Sequence, residues 1–406
     1  VGYAFDLDDV EYLAGAVEAL AEVDEYALTP ASLIGDLARV RARFGSRAPA
    51  LVETVTVRRK ARSKVAAAGS WLLTDDAVQQ ATPDAVSAHR AHRLAGRVIH
   101  DVTCSIGTEL HALRATAASV VGSDLDAVRL AMAARNVPDV PVLRADALTP
   151  VTRGTVVLAD PGRRSGGRRL RDPAALEPPL PHLLSAYAGR DLVVKCAPGL
   201  DFDRLPTDAE IEVVSLDGGV REACLWTGSV AEPGVRRRAT VLRAGSPPVS
   251  LVDTDPDEID ERPPGRYVID PDGAVVRAGL VRQYAARHGL WQLDPRIAHL
   301  TGDRIPPDTS GFEVLDRLPM QEKQLRKELA RRDCGSLEIL VRGVDVDPAV
   351  LRSKLGLRGS TPLSLVITRI GRSAVAFVCG PRTVSDQRTP QVGDQRTPQV
   401  GDQRNE

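Results

Sequence analysis

Four aspartates and one glycine, each at the end of a short apolar run or in the turn after one, are the residues whose spacing could do chemistry in this sequence. VIHD ends at Asp101, a tight turn with Gly107 follows, SVVGSD ends at Asp124, LRAD ends at Asp146 and VVLADP ends at Asp160-Pro161. A carboxylate just past a second strand can accept from both hydroxyls of a ribose, and a glycine without Cβ lets backbone approach such a ligand. Asp124 stands 17 residues after Gly107, which fits a nucleoside site. Only one glycine occupies the turn where a dinucleotide fingerprint has three, so a nicotinamide dinucleotide is a poor candidate. An acidic residue closing the first strand suits a ligand with an ammonium group.

These residues need an open sheet to hold them. From Val98 the chain alternates short apolar runs (VIHDV, SVVGSD, VPVLRAD, TVVLADP, DLVVKC, IEVVSL, ACLWTG) with helical stretches. That alternation predicts a largely parallel sheet with its ligand site at the strand carboxyl ends. Asp217-Gly218-Gly219 predicts an antiparallel hairpin at the sheet edge. Residues 1–95 read as a helical domain, with starts at Thr29-Pro30, Thr74-Asp75-Asp76 and Thr82-Pro83-Asp84. Residues 96–232 carry the sheet. Pro, Gly and charge dominate 233–265, a linker or peripheral strands. Within 266–383, VVRAGLVRQYAARHGL is helix-like, and residues 311–380 read strand, helix, strand, helix, strand, strand, a small α+β unit. DQRTPQVG occurs twice in 384–406, a polar repeat expected to be a disordered tail.

Composition narrows the class. Of 406 residues, 43% are hydrophobic, enough for real cores, and 53 Lys and Arg balance 54 Asp and Glu, which excludes a uniformly basic coat for nucleic acid. Positive charge is local, at Arg58, Arg59, Lys60, Arg62 and Lys64 and again at Arg163, Arg164, Arg168, Arg169 and Arg171. The first run reads as an exposed helix face and the second as a loop able to meet phosphate. Five scattered cysteines without a Cys-x-x-Cys pair disfavour a disulfide framework or thiolate zinc site and fit a reducing cytoplasm. No apolar stretch is long enough for a membrane span, and the acidic start lacks the order of a signal peptide. His89 and His92 lack a third ligand in reach, so no metal is expected. Cys104 has no His partner placed by sequence to make it a nucleophile. Lys195 in KCAPG could set a polar edge near a substrate, or simply end a strand before a Pro-Gly turn.

Asp101, the Gly107 turn, Asp124 and Asp146 resemble the class I S-adenosylmethionine-dependent methyltransferases, whose first motif is an acidic residue, a Gly-x-Gly turn and a helix. The resemblance implies S-adenosylmethionine as cofactor, with Asp101 toward its ammonium, Cys104, Ser105 and Gly107 forming the turn, Asp124 and Leu125 at the ribose and Asp146 and Ala147 at the adenine. Ser105 stands where the family usually has its first Gly. Asp160-Pro161-Gly162-Arg163-Arg164 falls where amino-group methyltransferases carry Asp/Asn-Pro-Pro-aromatic. By that resemblance Asp160 and Pro161 are catalytic, accepting hydrogen bonds from a substrate NH2. The stacking aromatic is absent, and Arg163, Arg164 and Lys195 are candidates for substrate binding.

ATPDAVSAHRAHRLAG followed by HDVTCSIGTEL resembles trimethylguanosine-synthase-like RNA methyltransferases. The whole arrangement, through ADPGRRSGGRR, VKCAPGLD, DGGVREACLW and IDPDGAVVRAGL, is similar to bacterial class I methyltransferases with a THUMP-like C-terminal domain. That family implies an α/β, Rossmann-like core with a seven-stranded sheet whose last strand is antiparallel, flanked by an N-terminal helical domain and a small C-terminal α+β domain. It also implies RNA as partner, and the expected activity is methyl transfer to a purine nitrogen in RNA. A non-catalytic RNA-binding protein on a degenerate core and a small-molecule or protein methyltransferase are the alternatives. Oligomeric state is open.

Overall fold

The computed structural model describes residues 3–163, 172–199, 201–202, 205, 208–307 and 309–385. Arg164, the rest of the arginine loop to 171, the side chain of Arg163 and the repeat from 386 onward lie outside the described residues. The chain divides into two compact units, 1–255 with 272–280, and 256–271 with 281–406.

The first unit begins with six helices: α1 (Leu7–Gly15), α2 (Val17–Asp24), α3 (Leu33–Phe44), α4 (Ala48–Ala61), α5 (Asp75–Gln80) and α6 (Asp84–Arg93). Asp6 opens α1 in a reciprocal capping box with Asp9, and the Thr74 hydroxyl accepts from Ala77 N to open α5. The other two Thr signals do not cap. Ser32 precedes α3, and Pro83 itself is the extended residue before α6, which leaves Thr82 one position too early. Its hydroxyl instead lies 3.5 Å from Glu222 Oε2. The basic run of α4 is consumed locally. Arg58 donates to the Trp71 and Ser70 carbonyls, Arg59 to Asp24 and three carbonyls nearby, Lys60 pairs with Asp75, and Lys64 reaches the Val78 and Gln79 carbonyls.

The sheet follows with β1 (Val98–Asp101), α7 (Thr108–Leu113), β2 (Ser119–Asp124), α8 (Ala127–Asn136), β3 (Val142–Arg144), β4 (Val156–Ala159), a short β5–β6 pair (Gly162–Arg163 and Leu176–Glu177) and α9 (Leu180–Ala186). It continues with β7 (Leu192–Cys196), β8 (Glu210–Leu216), β9 (Gly219–Thr227), β10 (Arg237–Leu242) and β11 (Val249–Val252). The order is β11-β10-β8-β9-β7-β4-β1-β2-β3. The seven from β8 to β3 are the expected core: β3, β2, β1, β4 and β7 run parallel, and β9 is antiparallel to both β7 and β8. Two strands are added. β10 pairs parallel with β8 and β11 antiparallel with β10, so the Pro/Gly-rich stretch supplies peripheral strands and the β8–β9 hairpin is not at the edge. Buried Ala239, Val241 and Leu251 fix that extension. Asp217 and Gly218 both have positive φ, as a two-residue hairpin turn requires.

Helices and sheet share one core. Leu51, Val55, Leu73 and Leu94 pack in the same buried cluster as Ile99, Leu110, Met132 and Leu158. Asn136 ties them further, accepting from Leu72 N at 2.8 Å and donating to the Leu72 and Ile106 carbonyls at 2.9 Å.

The second unit contains β12 (Tyr267–Ile269), α11 (Val281–His288), β13 (Trp291–Gln292), β14 (Leu300–Gly302), β15 (Ser310–Pro319), α12 (Glu322–Arg331), β16 (Cys334–Arg342), α13 (Pro348–Leu355), β17 (Thr361–Ile370), β18 (Ser373–Cys379) and β19 (Thr383–Val384). From β15 to β18 the order is the expected strand, helix, strand, helix, strand, strand. Leu325 and Leu329 of α12 and Leu351 and Leu355 of α13 cover Leu363, Leu365 and Ile367 of β17. The partition differs from a boundary at 266. The helix-like stretch is broken at Gly279, whose left-handed φ of 79° closes α10 (Gly273–Ala278), and α10 packs on β8 and β10 of the first unit. No described helix is long and apolar enough to cross a membrane.

Candidate active site

A cleft of about 500 Å³ lies at the carboxyl ends of β1, β2, β3 and β4, where a doubly wound sheet binds its ligand. The turn after β1 contributes Val102, Thr103, Ser105 and Ile106. Asp124 ends β2 and Leu125 follows it, Asp146, Ala147 and Leu148 follow β3, and Asp160 and Gly162 follow β4. Thr108 of α7, Arg129 of α8, Asp76, Ala77, Gln80 and Ala81 of the α5 region and Glu177, Pro178 and Pro179 complete the wall. Six expected site residues therefore meet here: Ser105, Asp124, Leu125, Asp146, Ala147 and Asp160. Asp101, Cys104, Gly107, Pro161 and Lys195 do not line the cleft. All five are buried, and Gly107 closes the turn at the start of α7.

The turn is held by its own backbone. Ser105 has a left-handed φ of 49°, and its N–H donates to Asp124 Oδ2 at 2.8 Å. Asp126 N donates to Asp124 Oδ1 at 2.9 Å. Each carboxylate oxygen offers two acceptor positions, so both retain one for a ribose hydroxyl. Gly107 has φ 91°, a backbone conformation that strains any side-chain-bearing residue, and a Cβ there would stand a tight 3.1 Å from Val137 Cγ2, so the turn favours glycine. Asp146 accepts from Leu148 N at 2.8 Å and is otherwise exposed. Leu125 is 60% exposed in the cleft wall, an apolar surface that a flat base would cover.

Behind the cleft runs a chain of buried charges. Asp160 N donates to Thr103 Oγ1 at 2.6 Å, and Asp160 Oδ2 accepts from Lys195 Nζ at 2.6 Å. Lys195, 6% exposed, also donates to Glu109 Oε1 at 3.1 Å. Glu109 Oε2 accepts from Arg90 at 2.7 Å, and Arg90 pairs in turn with Glu222. Burial opposes the charge on Glu109, yet the Arg90 guanidinium and Lys195 ammonium overcome it and hold its carboxyl at about 2. Burial likewise opposes the charges of Lys195 and Arg90, and the neighbouring carboxylates keep both above their usual range. The sequence reading missed Thr103, Arg90, Glu109, Asp76 and Gln80. Glu109 stands in the first turn of α7 and Arg90 among the cations of α6, and nothing in the local sequence marks either.

Asp101 behaves differently. Burial, reinforced by Glu109, pushes its carboxyl up to about 8, and it accepts from Thr103 N at 3.1 Å. The folded state therefore holds a proton that the unfolded chain releases near pH 4, and stability from this residue falls as pH rises from about 4 to 8. Asp101→Asn should remove that dependence, raising stability relative to the parent by up to about 1.4 kcal/mol per pH unit in this window. Denaturant unfolding of both proteins at pH 5, 6.5 and 8 measures it; parallel curves would contradict the assignment. Burial also pushes up the Cys104 thiol, which leaves no thiolate for nucleophilic work. His89, one of the two histidines weighed as metal ligands, is bonded through Nε2 to Glu212 at 2.8 Å.

The cleft fits the cofactor that the sequence motifs imply: its volume is in the ~300–1,000 Å³ range of small-molecule sites, and the carboxylates of Asp124 and Asp146 and the exposed Leu125 line it. Comparison with known proteins agrees. The THUMP domain-like family matches residues 309–381. Two relatives in Mycobacterium tuberculosis, strains CDC 1551 / Oshkosh and ATCC 25618 / H37Rv, are each 56% identical over 359 residues, covering 84% of this chain and 99% of the relative. Both carry the name uncharacterized S-adenosylmethionine-dependent methyltransferase. A crystal structure of a proposed methyltransferase from Porphyromonas gingivalis W83 shares the fold, with TM-score 0.71 and 18% identity over 93% of this chain and 100% of that one. The chain thus belongs to the S-adenosylmethionine-dependent methyltransferases, with a THUMP domain-like segment near its C-terminus.

Proposed function

We propose that this methyltransferase acts on a nitrogen of a purine base in RNA, in a reducing cytoplasm. The observation that carries the reading is the state of Asp160. Its carboxylate stands at the cleft beside Asp124 and Asp146, with its backbone N–H and Oδ2 already engaged and its side chain 39% exposed. Such a group can accept from an amino N–H and aim the nitrogen lone pair. The bound cofactor supplies an electrophilic methyl on a sulfonium. Holding the acceptor nitrogen in line with that methyl is the work left to the protein, since displacement at a sulfonium depends on positioning more than on a general base. RNA as the acceptor is supported by the THUMP domain-like segment, a relative of RNA-binding modules, and by the sequence resemblance to trimethylguanosine-synthase-like enzymes. Five free, buried cysteines are consistent with a reducing compartment.

One observation favours a second reading, a small cationic or protein acceptor. Among the described residues lining the cleft, Asp76, Asp124, Asp146, Asp160 and Glu177 stand against Arg129 alone, which is itself paired with Asp76 at 2.5 Å. Nucleoside mass spectrometry of RNA from cells with and without the protein separates the two: RNA transfer removes one methylated purine from the deletion strain, and an unchanged profile favours the other acceptor.

The cofactor site has its own test. Asp124→Ala leaves two ribose hydroxyls and the Ser105 N–H without their acceptor, a loss of about 1–3 kcal/mol in binding. Calorimetry with S-adenosylhomocysteine should show roughly 5- to 150-fold weaker binding; undiminished affinity would remove Asp124 from the site.

A further inference from the structure

We propose that Lys195 is a positioning residue for methyl transfer, which locks the Asp160 carboxylate so that Oδ1 is the oxygen that meets the acceptor N–H. The inference rests on the reading of Asp160 as the group that orients the acceptor. Lys195 lies on β7, and the parallel register of β4 with β7 pairs Ala159 with Val194, so its next step sets Lys195 level with Asp160. The flanking Val194 and Cys196 and the facing Cys224 of β9 are all buried. An ammonium on such a strand costs several kcal/mol to desolvate, and an apolar side chain of similar volume would pack there at no such cost. Stability alone is therefore a weak reason for a lysine at this position.

Geometry supplies a stronger reason. Asp160 is held at two points, through its N–H to Thr103 Oγ1 and through Oδ2 to Lys195 Nζ, and among the described residues no hydrogen bond engages Oδ1. The lysine is held in turn. Glu109 takes a second Nζ proton, and Arg90 fixes Glu109 from the other side. The ammonium thus cannot follow Asp160 if the carboxylate turns, and Asp160 cannot turn without leaving it. A carboxylate fixed in this way accepts hydrogen bonds and donates none, so it selects an acceptor nitrogen that carries a proton. An unprotonated ring nitrogen has nothing to offer Oδ1.

A double-mutant cycle on the full-length protein tests this. Lys195→Met, Asp160→Ala and the double variant are assayed for transfer of labelled methyl into unfractionated extract of cells lacking the protein, so the result does not depend on which molecule is the acceptor. Thermal unfolding and S-adenosylhomocysteine affinity are measured alongside, and Lys195→Gln, which keeps a donor for Oδ2, serves if the Met variant does not fold. We expect Lys195→Met to lower kcat at least 30-fold with KM for the extract acceptor and cofactor affinity within 3-fold of the parent, and Lys195→Gln to lose less. In the Asp160→Ala background the lysine substitution should cost less than 3-fold more. Losses that multiply in the double variant, or a kcat for Lys195→Met equal to the parent's, overturn the role of Lys195. Full activity of Asp160→Ala overturns instead the reading of Asp160 on which it rests.

Discussion

Arg90→Met is expected to destabilise the protein by about 3–5 kcal/mol, the cost of removing one partner from a buried ionic pair. Arg90 is 1% exposed and bridges Glu109 of α7 to Glu222 of β9. Methionine fills much of the space but leaves Glu222 without its cation and Glu109 with Lys195 alone. The pH dependence should change in a defined direction. In the parent, the Glu109 carboxyl is held at about 2, below its unfolded value near 4.5, so its contribution is full above pH 4.5 and is lost as pH falls toward 2. Without Arg90 that acid-side loss should flatten. Denaturant unfolding at pH 7 and pH 3.5 measures both effects, and a variant within 1 kcal/mol of the parent at pH 7 would show that the network carries little stability.

Asp160→Ala should lower methyl transfer by about 10²–10³-fold, comparable to removal of one preorganised hydrogen-bonding group in other active sites. Cofactor affinity should change little, because the Asp160 carboxylate is assigned to the acceptor and appears in the rate rather than in the cofactor complex. The Thr103 link is through the Asp160 backbone, so the substitution leaves it in place. Single-turnover rates and calorimetry on the same preparation separate the two effects. Equal losses in rate and cofactor affinity would assign Asp160 to the cofactor side of the cleft.

Much of the site was legible because its chemistry sits in local motifs. Asp124, Asp146 and Asp160 each follow a short apolar run, and period and spacing were enough to bring them to one sheet end. The hairpin at Asp217-Gly218 was legible from turn chemistry for the same reason. What escaped was non-local. Lys195 meets partners 35 and 86 residues away, and Arg90 meets Glu222 at a separation of 132. No pattern along the chain marks those pairs, and Lys195 alone reads as a strand-end cation. β10 and β11 were obscured by the prolines and charges around them, although Ala239, Val241 and Leu251 are what the sheet buries. The break at Gly279 was hidden because a glycine inside a helical pattern is usually tolerated, whereas here its positive φ ends one helix and passes the chain to the other unit.

The most direct test of the central claim is transfer of labelled methyl from S-adenosylmethionine by the purified full-length protein, offered separately the RNA, protein and small-molecule fractions of cells that lack it. The account predicts label in RNA, recovered after digestion as a purine methylated on nitrogen, and its loss with Asp160→Ala. Label confined to the protein or small-molecule fraction, or attached to carbon or oxygen in RNA, would contradict it.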